Sequence, residues 1–338
     1  MNRIINNCVS LRCVLAILFC LGVSFTTGCD QGGGADPDKK GTGPSPKADK
    51  KLVVGFSQIG AESSWRTAET TSIRSEAEKR GVDLKFADAQ QKQENQIKSL
   101  NAFISQGVDA IILAPVVETG WEPVLKNAKK RNIPVILVDR GVSADESLYT
   151  TLIASDFVAE GRMAGEWLAK KMEGKASIVE LQGTPGAAPA IDRKKGFEEA
   201  IAKHADMKII KTQTGEFTRA KGKEVMEAFL KAEGDKIQAV YAHNDDMALG
   251  AIQAIEEAGK KPGEDIIIVS IDGVKAAFEA MVEGKLNCTV ECNPLLGPKA
   301  FDAVEKAVAG ETLPKNIIQD DRVFDQSQAK DVIDSRQY

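Results

Sequence analysis

Residues 265–273 read Asp265-Ile266-Ile267-Ile268-Val269-Ser270-Ile271-Asp272-Gly273, a β-branched run that ends on an aspartate and a glycine. Such runs are expected of strands buried on both faces, as in parallel sheets covered by helices. Ile133-Pro134-Val135-Ile136-Leu137-Val138-Asp139-Arg140 repeats the device and again stops on an aspartate. Outward from these two runs, short apolar strands alternate with helix-period stretches. Leu52-Val53-Val54-Gly55-Phe56 is a first strand; Ile97, Leu100 and Ile104 mark a helix face closed by Gly107; Ala110-Ile111-Ile112-Leu113 follows. A second series runs through Ser177-Ile178-Val179, Ile209-Ile210 and Ala239-Val240-Tyr241, then a helix face of Met247, Ala251, Ile255 and Ala258 stopped by Gly259. Two such series predict an α/β fold of two similar doubly wound parallel-sheet lobes. Ligands of open parallel sheets sit beyond the carboxyl ends of the strands, so the residues just after each run are the ones to inspect.

The composition narrows the function. With 338 residues, 43% apolar and 28% charged, the chain can bury two cores and is not a disordered polymer. Its 44 basic against 49 acidic residues, net −5, argue against nucleic acid as a partner. An enzyme is disfavoured. There are two histidines, His204 and His243, no Gly-x-Ser-x-Gly elbow, and no dinucleotide fingerprint, since Gly32-Gly33-Gly34 follows no strand. A glycosidase would need two carboxyls at a set separation, and Arg140 beside Asp139 should keep that carboxyl ionised and unfit as an acid. No cofactor is expected.

The amino-terminal segment reads as an export signal. Arg3 and Arg12 flank a start without acidic residues, and Cys13–Phe25 is an uncharged run of 13 residues, short of the roughly 20 that cross a bilayer. Residues 1–28 are assigned as signal peptide. Thr26-Thr27-Gly28-Cys29 resembles the lipobox of bacterial lipoproteins, with Thr26 where that pattern has Leu; the implication is lipidation at Cys29, the alternative simple cleavage or retention. Residues 29–50, rich in Gly, Pro, Asp and Lys, then form a lipid-anchored flexible tether, and the body works on the periplasmic or cell-surface side of the cytoplasmic membrane. Of six cysteines, only Cys288 and Cys292 lie in the body; on an extended segment they would stand about 13 Å apart, beyond disulfide reach, so two thiols are expected.

Several strand-end residues carry chemistry. Ser57-Gln58-Ile59-Gly60-Ala61-Glu62-Ser63-Ser64-Trp65-Arg66 leads into a helix, where Arg66 would oppose the helix dipole unless it has another task. Trp65 reads either as core or as a flat ring for the apolar face of a sugar. Asp139-Arg140 is a surface ion pair or a ligand-facing pair, and Asn244 a helix N-cap or a ligand contact. Asp272 is a turn residue or an acceptor, Arg193 a solvated helix residue or a donor. Their gathering at the strand ends of both lobes suits a polyhydroxyl ligand gripped across a cleft.

Longer stretches add a resemblance. Val54-Gly55-Phe56-Ser57-Gln58, Gln90-Gln91-Lys92-Gln93-Glu94-Asn95-Gln96-Ile97-Lys98, Ala114-Pro115-Val116-Val117, Gly120-Trp121-Glu122-Pro123, Ala190-Ile191-Asp192-Arg193-Lys194-Lys195-Gly196-Phe197 and Ala242-His243-Asn244-Asp245-Asp246-Met247 resemble the sugar-binding proteins of ABC transporters. The type is the ribose-binding one of the periplasmic binding fold, and the galactofuranose binders are the most similar branch. The likeness covers Lys51 to Tyr338. It implies a monosaccharide ligand, with galactofuranose or galactose leading, and contacts at Glu62, Ser63, Ser64, Trp65, Arg66, Asp139, Arg140, Arg193, Asn244 and Asp272. It implies delivery to an ABC permease by a monomer. It also implies three hinge crossings, near Ile153, Cys292 and Gln319, so that residues 51–153 and 293–318 form lobe one and 154–292 and 319–338 lobe two. Glu291-Cys292-Asn293-Pro294 stands where ribose binders carry a glutamine contact, and the alternating Asp/Asn calcium loop of glucose/galactose binders is missing, so no metal is expected. The repressors that share this fold would begin with a helix-turn-helix rather than an export signal. A periplasmic sensor that presents its sugar to a chemoreceptor or kinase is the alternative.

Overall fold

The structure is a computed structural model that describes residues 51–338; the expected signal peptide, lipidation site Cys29 and tether lie outside the described residues. In chain order, lobe one contains β1 (Val53–Gln58), α1 (Ser64–Lys79), β2 (Asp83–Asp88), α2 (Gln93–Gln106), β3 (Ala110–Leu113), α3 (Glu122–Lys130), β4 (Val135–Val138) and β5 (Thr151–Ala154). Lobe two follows with α4 (Phe157–Lys171), β6 (Lys175–Gln182), α5 (Ala188–Ile201), β7 (Asp206–Thr214), α6 (Arg219–Glu233), β8 (Ala239–Ala242), α7 (Asp245–Glu257), β9 (Ile267–Asp272), α8 (Lys275–Val282) and β10 (Cys288–Glu291). The chain then returns to lobe one for α9 (Gly297–Val308) and β11 (Asn316–Ile318), and ends in lobe two with β12 (Val323–Asp325) and α10 (Gln326–Val332).

The six-stranded sheets have the orders β11-β5-β4-β3-β1-β2 and β12-β10-β9-β8-β6-β7, which correspond strand for strand in order. Every pairing is parallel except β10–β12. The exception follows from the connections. β10 ends at the hinge, whereas β12 enters its sheet from the hinge after β11, so the two must run in opposite directions.

Strand pleating sends alternate residues to opposite faces. In β3, Ile112 joins Val54, Phe56, Ile73 and Phe301 under α1 and α9, while Ile111 and Leu113 join Leu100, Phe103, Trp121 and Leu125 under α2 and α3. This two-sided burial is why β3, β4 and β8 are apolar throughout and β1 and β9 are apolar until their last residues approach the cleft. In lobe two, α4 and α5 touch through reciprocal glycines: a Cβ on Gly161 would stand 2.0 Å from the Arg193 carbonyl, and one on Gly196 2.0 Å from that of Val158. The contact sets Arg193 against its neighbours on α4. Cys288 and Cys292 are buried free thiols.

Candidate functional site

In lobe one the site grows from the start of α1 and the end of β4. Ser63 caps α1 by accepting from the Arg66 amide at 3.1 Å, so the following turn presents the Trp65 and Arg66 side chains at the interlobe cleft. Arg66, 2% exposed, donates to Glu62 (3.0 Å), Glu69 (2.5 Å) and Asp139 (2.6 Å). Burial works against its charge, but Asp139, Glu69 and Glu62 outweigh it and hold its pKa well above the usual value. Beside it, Arg140 donates to the Val116 carbonyl at 3.0 Å, and its Nε lies 3.4 Å from Asp139 Oδ2 without hydrogen-bond alignment. Burial, reinforced by Arg66, lowers Arg140 to about 10.

Lobe two supplies a counterpart built on equivalent elements. Arg193 lies on α5, the helix after the first strand of its sheet, as Arg66 lies on α1. Its Nε donates to the buried Glu160 at 2.7 Å, its Nη1 to the His243 carbonyl at 2.6 Å, and its Nη2 stands 3.5 Å from Asp272 at the end of β9. Burial drives Asp272 well above the ordinary carboxyl range, with Arg193 opposing. Asp139 (φ 63°) and Asp272 (φ 130°) both hold backbone conformations that L residues rarely adopt, a strain that concentrates at functional positions. Asn244 caps α7 through Met247 N at 3.0 Å and donates to the Phe217 carbonyl at 3.1 Å. Its neighbour Asp245 accepts from Ser270, Thr289 and the Val274 amide, which fastens the turn that follows Asp272.

These two groups line one cavity between the lobes, bounded by Glu62, Ser63, Trp65, Arg66, Asp139, Arg140, Pro189, Arg193, Phe217, Asn244 and Asp272. The polar groups are only partly used. Among the described residues Glu62 Oε2 and Arg140 Nε are buried without a hydrogen-bond partner. Asp139 and Asp272 each keep one oxygen that accepts nothing, and Asn244 keeps one amide hydrogen. A hydroxyl donates once and accepts twice, so a ring carrying several of them can satisfy acceptors and donors together.

A periplasmic binding protein domain model matches residues 54–312. This chain belongs to the periplasmic binding protein family. It is similar to the galactofuranose-binding protein YtfQ of Escherichia coli (strain K12), 58% identical over 270 residues that cover 79% of this chain and 85% of the relative. Among solved structures it is similar to a galactofuranose binding protein (55% identity, TM-score 0.83, covering 84% of this chain and 98% of that one). A third match is the binding component of an arabinose ABC transporter from Shewanella sp. ANA-3, bound to α- and β-L-arabinofuranose (57%, TM-score 0.83, covering 85% and 96%).

In this periplasmic binding protein the cleft brings together nine of the ten expected residues. Ser64 is the exception: its amide and hydroxyl both go to Asp246 on the opposite lobe, at 2.8 and 2.6 Å. Trp65 answers to both of its readings. It lines the cavity, yet it is 5% exposed, packs into the lobe-two core, and donates from Nε1 to the Cys292 carbonyl at 2.6 Å. Phe217 and Pro189 were missed. Phe217 sits in a left-handed turn (φ 62°) after β7, its ring 5.2 Å from the Arg140 guanidinium, so this periplasmic binding protein offers an aromatic ring from each lobe. The Gly215-Glu216-Phe217 loop gave the only signal, and it is weak. The buried supports Glu69 and Glu160 also escaped notice, because an acid inside a helix looks solvated in sequence. Among the described residues no group of His, Cys, Asp and Glu is arranged to hold a metal ion, and no helix is long and apolar enough to cross a membrane.

Proposed function

We propose that the protein is an extracytoplasmic solute-binding protein that captures a furanose-type monosaccharide, galactofuranose leading, and delivers it unchanged to an ABC permease. The observation that carries this reading is the closed cleft, in which each lobe contributes an arginine–aspartate pair to one polar cavity. Asp139, Asp272 and Glu62 accept from sugar hydroxyls; Arg140, Arg193 and Asn244 donate; Trp65 and Phe217 cover the apolar faces of the ring. Contacts drawn from both lobes are complete only when the cleft is shut, so ligand shifts the population toward the closed form. Closure turns residues 51–153 with 293–318 against 154–292 with 319–338 about the three crossings, and a permease then reads the closed shape. The furanose preference rests on the similarity to binders of galactofuranose and arabinofuranose. Export by residues 1–28 and lipidation at Cys29 keep the monomer beside the membrane.

Calorimetry of the purified protein with D-galactose, L-arabinose, D-fucose, D-ribose and D-glucose tests the reading. We expect tight binding of galactose or arabinose and weak binding of glucose; failure of every sugar to bind below millimolar concentration would overturn it.

A further inference from the structure

Among the described residues, polar contacts outside the cavity also join the lobes: the Glu118 amide donates to the Gly186 carbonyl at 3.0 Å, and a buried carboxylate makes a second, side-chain contact. Asp246, the second residue of α7, is 5% exposed and accepts on Oδ2 from both the amide (2.8 Å) and the hydroxyl (2.6 Å) of Ser64, the first residue of α1 on the other lobe. Its other oxygen is already occupied on its own side, where Arg219 donates from Nε (3.1 Å) and Nη2 (2.9 Å). Arg219 is held there by a second reciprocal glycine contact: a Cβ on Gly250 would stand 2.1 Å from the Arg219 carbonyl, and one on Gly222 2.6 Å from Met247. The carboxylate is therefore set before the lobes meet, with Oδ2 left for a partner across the cleft.

The recipient is a helix start that needs one. The first amides of a helix have no partner within it, and an acid there complements the helix dipole. Ser63 satisfies the Arg66 amide, but α1 has no acidic residue in its first turn. Asp246 supplies that acid from the other lobe, and only in the closed arrangement.

We propose that Asp246 is an affinity-determining residue that caps α1 in trans: a closure latch, held by Arg219, that adds to the binding of any sugar without choosing among them. The inference rests on the binding reading above but separates from it, because neither Asp246 nor Ser64 lines the cavity. The latch sets the fraction of closed protein, and apparent affinity scales with that fraction.

The test uses Asp246→Ala, Ser64→Ala and Ser64→Pro. Proline is tolerated at the first helical position and removes both donors without breaking α1; this variant keeps the test open if Asp246→Ala folds poorly through loss of its Arg219 partner. Spin labels on the two lobes report the interlobe distance distribution without ligand, and calorimetry with L-arabinose and D-galactose reports affinity. Asp246→Ala and Ser64→Pro should widen the distribution and raise both dissociation constants by the same factor, roughly tenfold, ~1.4 kcal/mol. Ser64→Ala, which keeps its amide, should give about a threefold rise, half of that free energy. A change in the arabinose-to-galactose ratio would mean direct contact with the sugar and would overturn the latch, as would unchanged distances and affinities. If the unsubstituted protein bound neither sugar, the binding reading would fall while the distance distributions still decided the latch: wider in the variants supports it, identical refutes it.

Discussion

Asp139→Asn isolates the charge of one cavity group while sparing the fold. Asp139 occupies the left-handed region at φ 63°, which asparagine tolerates better than most residues, so the backbone at the end of β4 should keep its course. The substitution replaces a carboxylate that receives Arg66 at 2.6 Å and has one oxygen free of protein donors. Hydrogen bonds to charged groups are worth about 1.5–3 kcal/mol, and loss of one such bond to a sugar hydroxyl predicts a dissociation constant roughly 10- to 150-fold higher. An amide also turns an N–H toward Arg66 or Arg140 in place of an acceptor. The fold should lose less, since Arg66 keeps Glu62 and Glu69 and Arg140 keeps the Val116 carbonyl. Titration calorimetry with the best-binding sugar, paired with thermal unfolding without ligand, separates the two effects. A dissociation constant within threefold of the unsubstituted protein would refute the assignment. So would a collapse of the ligand-free melting transition, which would make Asp139 a structural residue.

Other consequences follow from the supporting groups. Burial, with Glu160 nearby, pushes Asp321 at the third crossing up to about 7. A carboxyl whose folded pKa exceeds its unfolded one is neutral in effect below the unfolded value and destabilises increasingly as pH rises toward the folded value. Asp321→Asn should therefore gain stability over the unsubstituted protein between pH 4 and 7, of the order of 2 kcal/mol after discounting its partial exposure; parallel stability-versus-pH curves would contradict this. Gly161→Ala should separate α4 from α5, cost about 1–3 kcal/mol of stability as overpacking does, and weaken sugar binding through Arg193; full affinity would show that the 2.7 Å Glu160–Arg193 contact does not position the arginine. Trp65→Phe removes the donor to the Cys292 carbonyl, a bond worth about 0.5–1.5 kcal/mol, and should raise the dissociation constant roughly three- to tenfold with no more than a small change in melting temperature.

The strands that were legible in sequence are those buried on both faces. Edge strands were not: β2 (Asp-Leu-Lys-Phe-Ala-Asp) is half-buried along most of its length, and β7 is longer than its Ile209-Ile210 centre because lysines occupy its open face. Short β11 and β12 depend on partners far away in sequence, β5 for β11 and β10 for β12, and no local pattern announces them. Nor does local pattern show that β12 runs against its neighbour, which follows from the third crossing. In the site, Asp139 and Asp272 were readable because they end the two most apolar runs. Ser64 falls outside the cavity lining, and a hydroxyl beside cavity-lining residues gives no hint in sequence that a carboxylate 182 positions away accepts from it. Phe217 was invisible for a related reason: it comes from a turn after an edge strand and meets Arg140 only when the two lobes face each other.

The most direct measurement is the crystal structure of the protein with L-arabinose or D-galactose. The sugar should lie between Asp139 and Asp272, held by both arginine–aspartate pairs at once and flanked by the rings of Trp65 and Phe217. A sugar seated on one lobe alone, with the opposite pair turned to solvent, would contradict the central claim.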